Sequence, residues 1–167
     1  MKRSFSLLIL MLIVGLVAGA VQAQTEMSDK DRLIKITQTL ELQPFHEKAK
    51  DLREWAMFYV IQTKDVSVIV CTNAITLAMD KKYKYSSELL TQYTLGMAAF
   101  KLVNPDKAKD EDDAQLAGIE SMLKAYEAMV KEKPKAQSAN VDILVTKRNN
   151  SELKKHLDEN RCKDDKK

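Results

Sequence analysis

Glycine is the residue this chain does without. Of its 167 residues only four are glycine, and Gly15 and Gly19 lie within an apolar run at the start, which leaves Gly96 and Gly118 for everything after it. A β-rich fold of this size needs many tight turns, and the turns that join antiparallel strands draw on glycine for positive φ. The scarcity therefore argues for helices. It also removes the loops that cradle phosphates at helix N-termini, and no Gly-x-Ser-x-Gly nucleophile elbow occurs. Histidine is scarcer still, with two. His46-Glu47 is followed by Lys48-Ala49-Lys50, so the second histidine of a zinc-binding helix motif is missing. His156 has Asp158 and Glu159 close by, but two residues apart on a helix point to different faces and only Glu159 could share one. Both histidines read as parts of solvated polar faces.

Before residue 24 the chain has the pattern of an export signal. Lys2 and Arg3 precede an unbroken apolar run from Leu7 to Ala20, and Val21-Gln22-Ala23 places small residues where a signal peptidase reads them. The run falls short of the roughly 20 residues that span a bilayer, and no cysteine follows it to carry a lipid. Residues 1–23 are thus expected to be a cleaved signal peptide, and the mature protein to be periplasmic or extracellular with no stable membrane span. The precursor has 27 Lys and Arg against 24 Asp and Glu. Because the leader holds two of those bases and no acid, the remainder is close to neutral. Nothing in that balance suggests a nucleic-acid partner, whose binders concentrate basic charge on one face. In an oxidising compartment the two cysteines, Cys71 and Cys162, are expected to pair as a disulfide that ties the end of the chain to its middle.

Apolar periodicity fills most of residues 24–162, which read as a single helical domain followed by a disordered tail at 163–167. A first helix starts with Ser28 as N-cap and carries Leu33, Ile36 and Leu40, with Thr37 interrupting the face. A second runs from about Pro44 to Thr63 with Ala49, Leu52, Ala56 and Val60 on its stripe. Residues 65–80 are ambiguous. Val66 to Cys71 is β-branched and partly alternating, as a strand would be, yet no second run exists to pair with it, so a buried helix capped by Asp65 is expected and a strand is the alternative. Further helices start at Ser86 or Ser87, with Leu90, Tyr93, Met97 and Phe100 on one face, and at about Ala114, with Leu116, Ile119, Leu123, Tyr126 and Val130. The last part breaks at Asn149-Asn150, after which Ser151 is expected to cap a short helix containing Leu153 and Leu157. Pro44, Pro105 and Pro134 fall where these segments begin or end. The fold class is all-α, about five to six helices in antiparallel pairs, as a bundle or a short array.

Within residues 93–134, Leu95-Gly96, Ala99-Phe100, Tyr126 and the closing Pro134 resemble the small-residue and aromatic signature of a single tetratricopeptide (TPR) helix pair. The connector and second helix are longer than the usual period of about 34 residues allows, and Met129 stands where the second helix would carry a small residue. The resemblance implies a helix pair packed closely at Gly96 and, more weakly, a peptide-binding groove.

One connector combines cations with aromatics, Lys81-Lys82-Tyr83-Lys84-Tyr85. Such a mixture can hold anions and stack on planar ligands. Tyr83, Lys84 and Tyr85 are therefore the candidate interaction surface, whereas Trp55, Phe58 and Tyr59 read as core. No catalytic residue, cofactor site or metal ligand stands out. The expectation is an exported, non-catalytic interaction or binding module whose partner is another exported or envelope protein. The alternatives are a small-ligand carrier or small enzyme with an interhelical pocket, and an inhibitor of a toxic or lytic partner. Intact mass of the exported protein should match a chain beginning at Gln24, and retention of Met1 to Ala23 would make the leader an anchor.

Overall fold

Ser28 begins the first helix as its position before an acidic turn implies. Its side chain accepts from the Asp31 amide at 3.2 Å and its hydroxyl donates back to the Asp31 carboxylate. The computed structural model describes residues 27–162; the expected signal peptide and C-terminal tail lie outside them. Among the described residues there are six α-helices and no strand: α1 (Asp29–Leu42), α2 (Ala49–Gln62), α3 (Ser86–Val103), α4 (Glu111–Glu132), α5 (Ala139–Asn149) and α6 (Leu153–Glu159). Short 3-10 turns cover Asn73–Ala78, Pro105–Lys107 and Pro134–Ala136. No helix among the described residues is long and apolar enough to cross a membrane.

The α3–α4 hairpin is the most extensive helix pair, and the other elements pack on its two sides. On one side α1 and α2 bury Leu33, Ile36, Leu40, Ala56 and Val60 against Leu95 and Ala98 of α3. On the other, the 3-10 turn at Asn73–Ala78, α5 and α6 bury Ile75, Val141, Leu144 and Leu157 against Tyr93, Met97, Ile119, Met122 and Tyr126. Because α3 serves both cores, every residue from Gln92 to Ala98 is buried, which is why its middle lacks a polar face.

Close approach of α3 to α4 depends on two glycines. A Cβ on Gly96 would lie 2.5 Å from the Cβ of Ser121 and 3.1 Å from the Cα of Gly118, and a Cβ on Gly118 would lie 2.7 Å from the Tyr93 carbonyl oxygen. Next to this crossing, buried Gln92 donates to the Thr37 carbonyl at 3.1 Å and to Ser121 Oγ at 2.8 Å, joining α1, α3 and α4. Thr37, which interrupts the apolar face of α1, returns its own hydroxyl to the Leu33 carbonyl at 2.9 Å. The polar groups at the centre of the fold thus satisfy one another.

Residues 65–80 correct the expectation of a helix and also of a strand. Residues 66–72 have no regular secondary structure and no β partner, and only Asn73–Ala78 coils, as a 3-10 turn. The reason lies in side chains that take the place of a neighbouring strand. Buried Lys101 donates to the Ser67 carbonyl at 2.9 Å and pairs with Glu111, and the Tyr93 hydroxyl donates to the Cys71 carbonyl at 3.1 Å. The Cys71–Cys162 disulfide is present, with Cα atoms 5.7 Å apart and a separation of 91 residues. In the chain-entropy view, closing a loop of that length contributes about 4 to 5 kcal/mol.

Three boundaries differ from the periodicity. α2 starts at Ala49 rather than near Pro44, because residues 43–48 form tight turns in which the His46 carbonyl receives the Ala49 amide at 2.8 Å and the His46 ring receives the Lys48 amide at 3.1 Å. α4 starts at Glu111, since Asp110 caps it by accepting from Asp113 at 3.0 Å. Ser151 does not cap α6: it sits at φ 61° and Glu152 occupies the cap position.

A test follows at the hairpin. Gly118→Ala gains about 1 kcal/mol of helix propensity but sets a methyl against a backbone carbonyl, and overpacking of that kind costs about 1–3 kcal/mol. Thermal unfolding should show a lower midpoint, and a larger fall for Gly96→Leu. An unchanged or higher midpoint for both would show that the helices part freely.

Candidate functional site

The basic and aromatic connector is folded around its own polar groups. Asp80 accepts from the Lys82 amide at 2.8 Å, and Ser86 at the start of α3 donates to the Asp80 carbonyl at 2.7 Å. These bonds bend residues 80–86 so that Tyr83 and Tyr85 turn inward while Lys84 remains exposed. Both tyrosines are half-buried and pack against the larger core, so they serve the fold as well as bordering the surface. The Tyr83 hydroxyl donates to the Ala136 carbonyl at 2.8 Å, and its ring meets that of Tyr85 edge-on at 5.8 Å.

That hydrogen bond brings a second segment into the site. The turn after α4 supplies Lys133, Pro134, Lys135 and Gln137, which with Lys82, Tyr83, Lys84 and Tyr85 line a groove of about 740 Å³ open to solvent. Phe45 backs it. Its ring lies 5.3 Å from that of Tyr85, and its turn is held by Arg53, which donates to the Pro44 carbonyl at 2.7 Å. The Lys133 ammonium sits 3.5 Å from the centre of the Phe45 ring, and the Lys84 ammonium 5.5 Å from that of Tyr85. Among the described residues, Lys82, Lys84 and Lys135 have no carboxylate within ion-pair distance, and Lys133 has only its neighbour Glu132, at 3.9 Å. Charge in this groove rests on ring faces and water.

Phe45, Lys133 and Lys135 have no distinguishing signal in the linear sequence beyond the basic Lys131 to Lys135 run around Pro134. They become part of the site only because Tyr83 reaches Ala136. Of the acids near the groove, Glu132 lies beside Lys133, Asp142 accepts from Tyr126 and from Gln137, and Glu88 lies near enough to Arg53 to raise its pKa against the effect of burial.

His156 corrects the expectation of a solvated face. It is buried, its Nε2 donates to the Ala74 carbonyl at 2.9 Å, and its Nδ1 lies 3.3 Å from the Asn160 amide. With both ring nitrogens occupied it fastens α6 to the turn at Asn73–Ala78. Its bond to Ala74 was not legible because that residue lies 82 positions away. Among the described residues no three His, Cys, Asp or Glu side chains converge closely enough to hold a metal ion.

One of the α2 aromatics also departs from expectation. Phe58 is 60% exposed and Trp55 half-buried, with Trp55 stacked on Tyr59 at 5.6 Å and the Arg32 guanidinium 4.0 Å from the indole centre. Only Ala49, Ala56 and Val60 of this helix are buried; Trp55 and Tyr59 pack against the edge of the smaller core, as expected of core aromatics, and Phe58 alone of the three stands outside it. Comparison with protein-family models, curated proteins and solved structures yields no match.

Burial, with Tyr85, Glu88 and Asp142 nearby, pushes the Tyr83 phenol up to about 12 from its ordinary value near 10. Burial also raises Tyr93, beside Glu111, and Tyr126, which bonds Asp142. A phenol whose folded value is raised stabilises the fold below about pH 10, and that contribution is lost as pH climbs through the folded value. Phenolate absorbance should therefore show part of the five tyrosines ionising only above about pH 11, together with unfolding. A single complete step near pH 10 with the fold intact would contradict the burial of these rings.

Proposed function

We propose that this chain is an exported, non-catalytic protein-interaction module that engages another exported or envelope protein through the groove bounded by Tyr83, Lys84 and Tyr85. The observation that carries this reading is a solvent-open groove lined by four lysines, two of them seated on aromatic faces, of which only Lys133 has a carboxylate within ion-pair distance among the described residues. Interface anchors combine apolar bulk with a polar tip, and Tyr is enriched among them. Several cations elsewhere are paired, as with Lys30 and Asp65, Lys107 and Asp113, and Arg148 and Glu127, whereas the groove gathers four lysines in one depression. The disulfide supports export in the same reading, since such bonds persist in oxidising compartments.

Tyr83 is unsuitable for a test by substitution, because its hydroxyl holds the turn after α4. A Lys82→Ser, Lys84→Ser, Lys135→Ser variant leaves the core untouched and should keep the melting midpoint within about 1 °C, as surface changes do. Capture of the native partner by the tagged, exported protein should fall at least severalfold with this variant and persist with His46→Ala. Undiminished capture by the lysine variant, or loss with His46→Ala while the fold is preserved, would overturn the proposal.

A further inference from the structure

The geometry points to an acidic segment of a partner protein, one rich in Asp and Glu, as the occupant of the groove formed by Lys82, Lys84, Lys133 and Lys135; this rests on the interaction reading above. Four ammonium groups from two connectors are gathered on one depression, in a chain whose bases and acids otherwise nearly balance. Like charges brought together in this way repel, and a line of carboxylates would relieve the repulsion while gaining charge-assisted hydrogen bonds. All four cations are lysines. Each is a compact charge with three rotatable donors on a flexible stem, suited to carboxylates that arrive in variable geometry rather than to one rigid fork.

Ring geometry separates this occupant from a sugar. Stacking a pyranose needs a free aromatic face, but Lys133 covers Phe45 at 3.5 Å and Lys84 lies over Tyr85. Tyr83 and Phe45 abut the ring of Tyr85 as well. The aromatic faces are thus used to seat cations, and what the groove presents outward is charge. A second copy of this chain is poorly equipped to supply the acids. Its densest acidic run, Asp110 to Asp113, is already committed: Asp110 caps α4, Glu111 pairs with Lys101, Asp112 with Arg161 and Asp113 with Lys107.

The test uses the mature protein with its disulfide intact and a fluorescein-labelled decaglutamate peptide, with decaglutamine as the uncharged control. Anisotropy should show saturable binding of decaglutamate, no comparable binding of decaglutamine, and weakening as salt is raised, because the pairs are exposed and screened. Lys84→Glu with Lys135→Glu should weaken binding about tenfold or more, and Lys84→Gln with Lys135→Gln by less, whereas Lys64→Glu with Lys154→Glu, at exposed sites outside the groove, should leave it unchanged. Equal binding by the groove reversal and the control reversal would overturn the inference. So would tighter binding of a heparin-derived oligosaccharide or of phosphatidylglycerol vesicles than of decaglutamate, or a groove-dependent dimer in sedimentation. If decaglutamate fails to bind while partner capture still falls with the lysine-to-serine variant, the acidic-segment assignment is lost and the interaction reading stands; if both fail, both are lost.

Discussion

The separation between α3 and α4 is the distance on which the other packing depends. At Gly96 and Gly118 the two backbones come close enough that a methyl group on either would overlap its neighbour, with Ser121 Cβ and the Tyr93 carbonyl as the limiting atoms. A glycine inside a helix costs about 1 kcal/mol relative to alanine. Here the cost is offset by what the approach permits: Gln92 can reach Ser121 across the crossing while also bonding Thr37 of α1. Had the helices been held further apart, Gln92 would be a buried amide with missing partners, a defect of about 1–3 kcal/mol. One steric allowance therefore positions three helices.

From that hairpin, the C-terminal elements are attached by polar and covalent links in addition to apolar contact. Tyr126 donates to Asp142 of α5 and receives the Ser138 amide at 2.9 Å. His156 fixes α6 to Ala74, and the disulfide joins Cys162, just beyond α6, to the end of the irregular segment. α6, with buried Leu153, His156 and Leu157, is only about two turns long, too short to persist without such attachments. The same links place Ala136 where Tyr83 can bond it, so the groove is set by the tethering of the C-terminal third as much as by the connector that contributes its tyrosines.

Helices with a clear stripe were legible in the sequence because one face meets one core. The α1 cap at Ser28, the α3 start at Ser86 and the pairing of the cysteines all follow from local chemistry or parity. What escaped reading depends on distant partners. Val66 to Cys71 has strand composition, but its Ser67 and Cys71 carbonyls accept from Lys101 and Tyr93, and no period in the sequence encodes a side chain standing in for a strand. His156 looked solvated because its neighbours in sequence are charged, while its bond to Ala74 spans 82 positions. Phe58 looked like core because it is aromatic, yet it is exposed, whereas Trp55 and Tyr59 pack against the smaller core. Of the groove, the connector half was visible as Tyr83, Lys84 and Tyr85. The half around Lys133 was hidden, because only the folded hairpin brings it across.

Charge, finally, is distributed unevenly by the fold, although the composition is nearly even. Glu41 is taken by Lys124, Asp65 by Lys30, Glu111 by Lys101, Asp113 by Lys107, Glu127 by Arg148, and Asp112 and Asp158 share Arg161. Most of these pairs are exposed and contribute about 0–1 kcal/mol each, so their effect on stability is small. Their effect on the surface potential is larger, since a paired cation is a short dipole whose field decays quickly. Ring contacts of about 0.5–1 kcal/mol hold Lys84 and Lys133 in place without neutralising them, and screening over about 8 Å at physiological salt confines the influence of the four groove lysines to what enters it. Two connectors that are distant in sequence thus concentrate positive charge in one small depression of a chain whose acids and bases nearly balance.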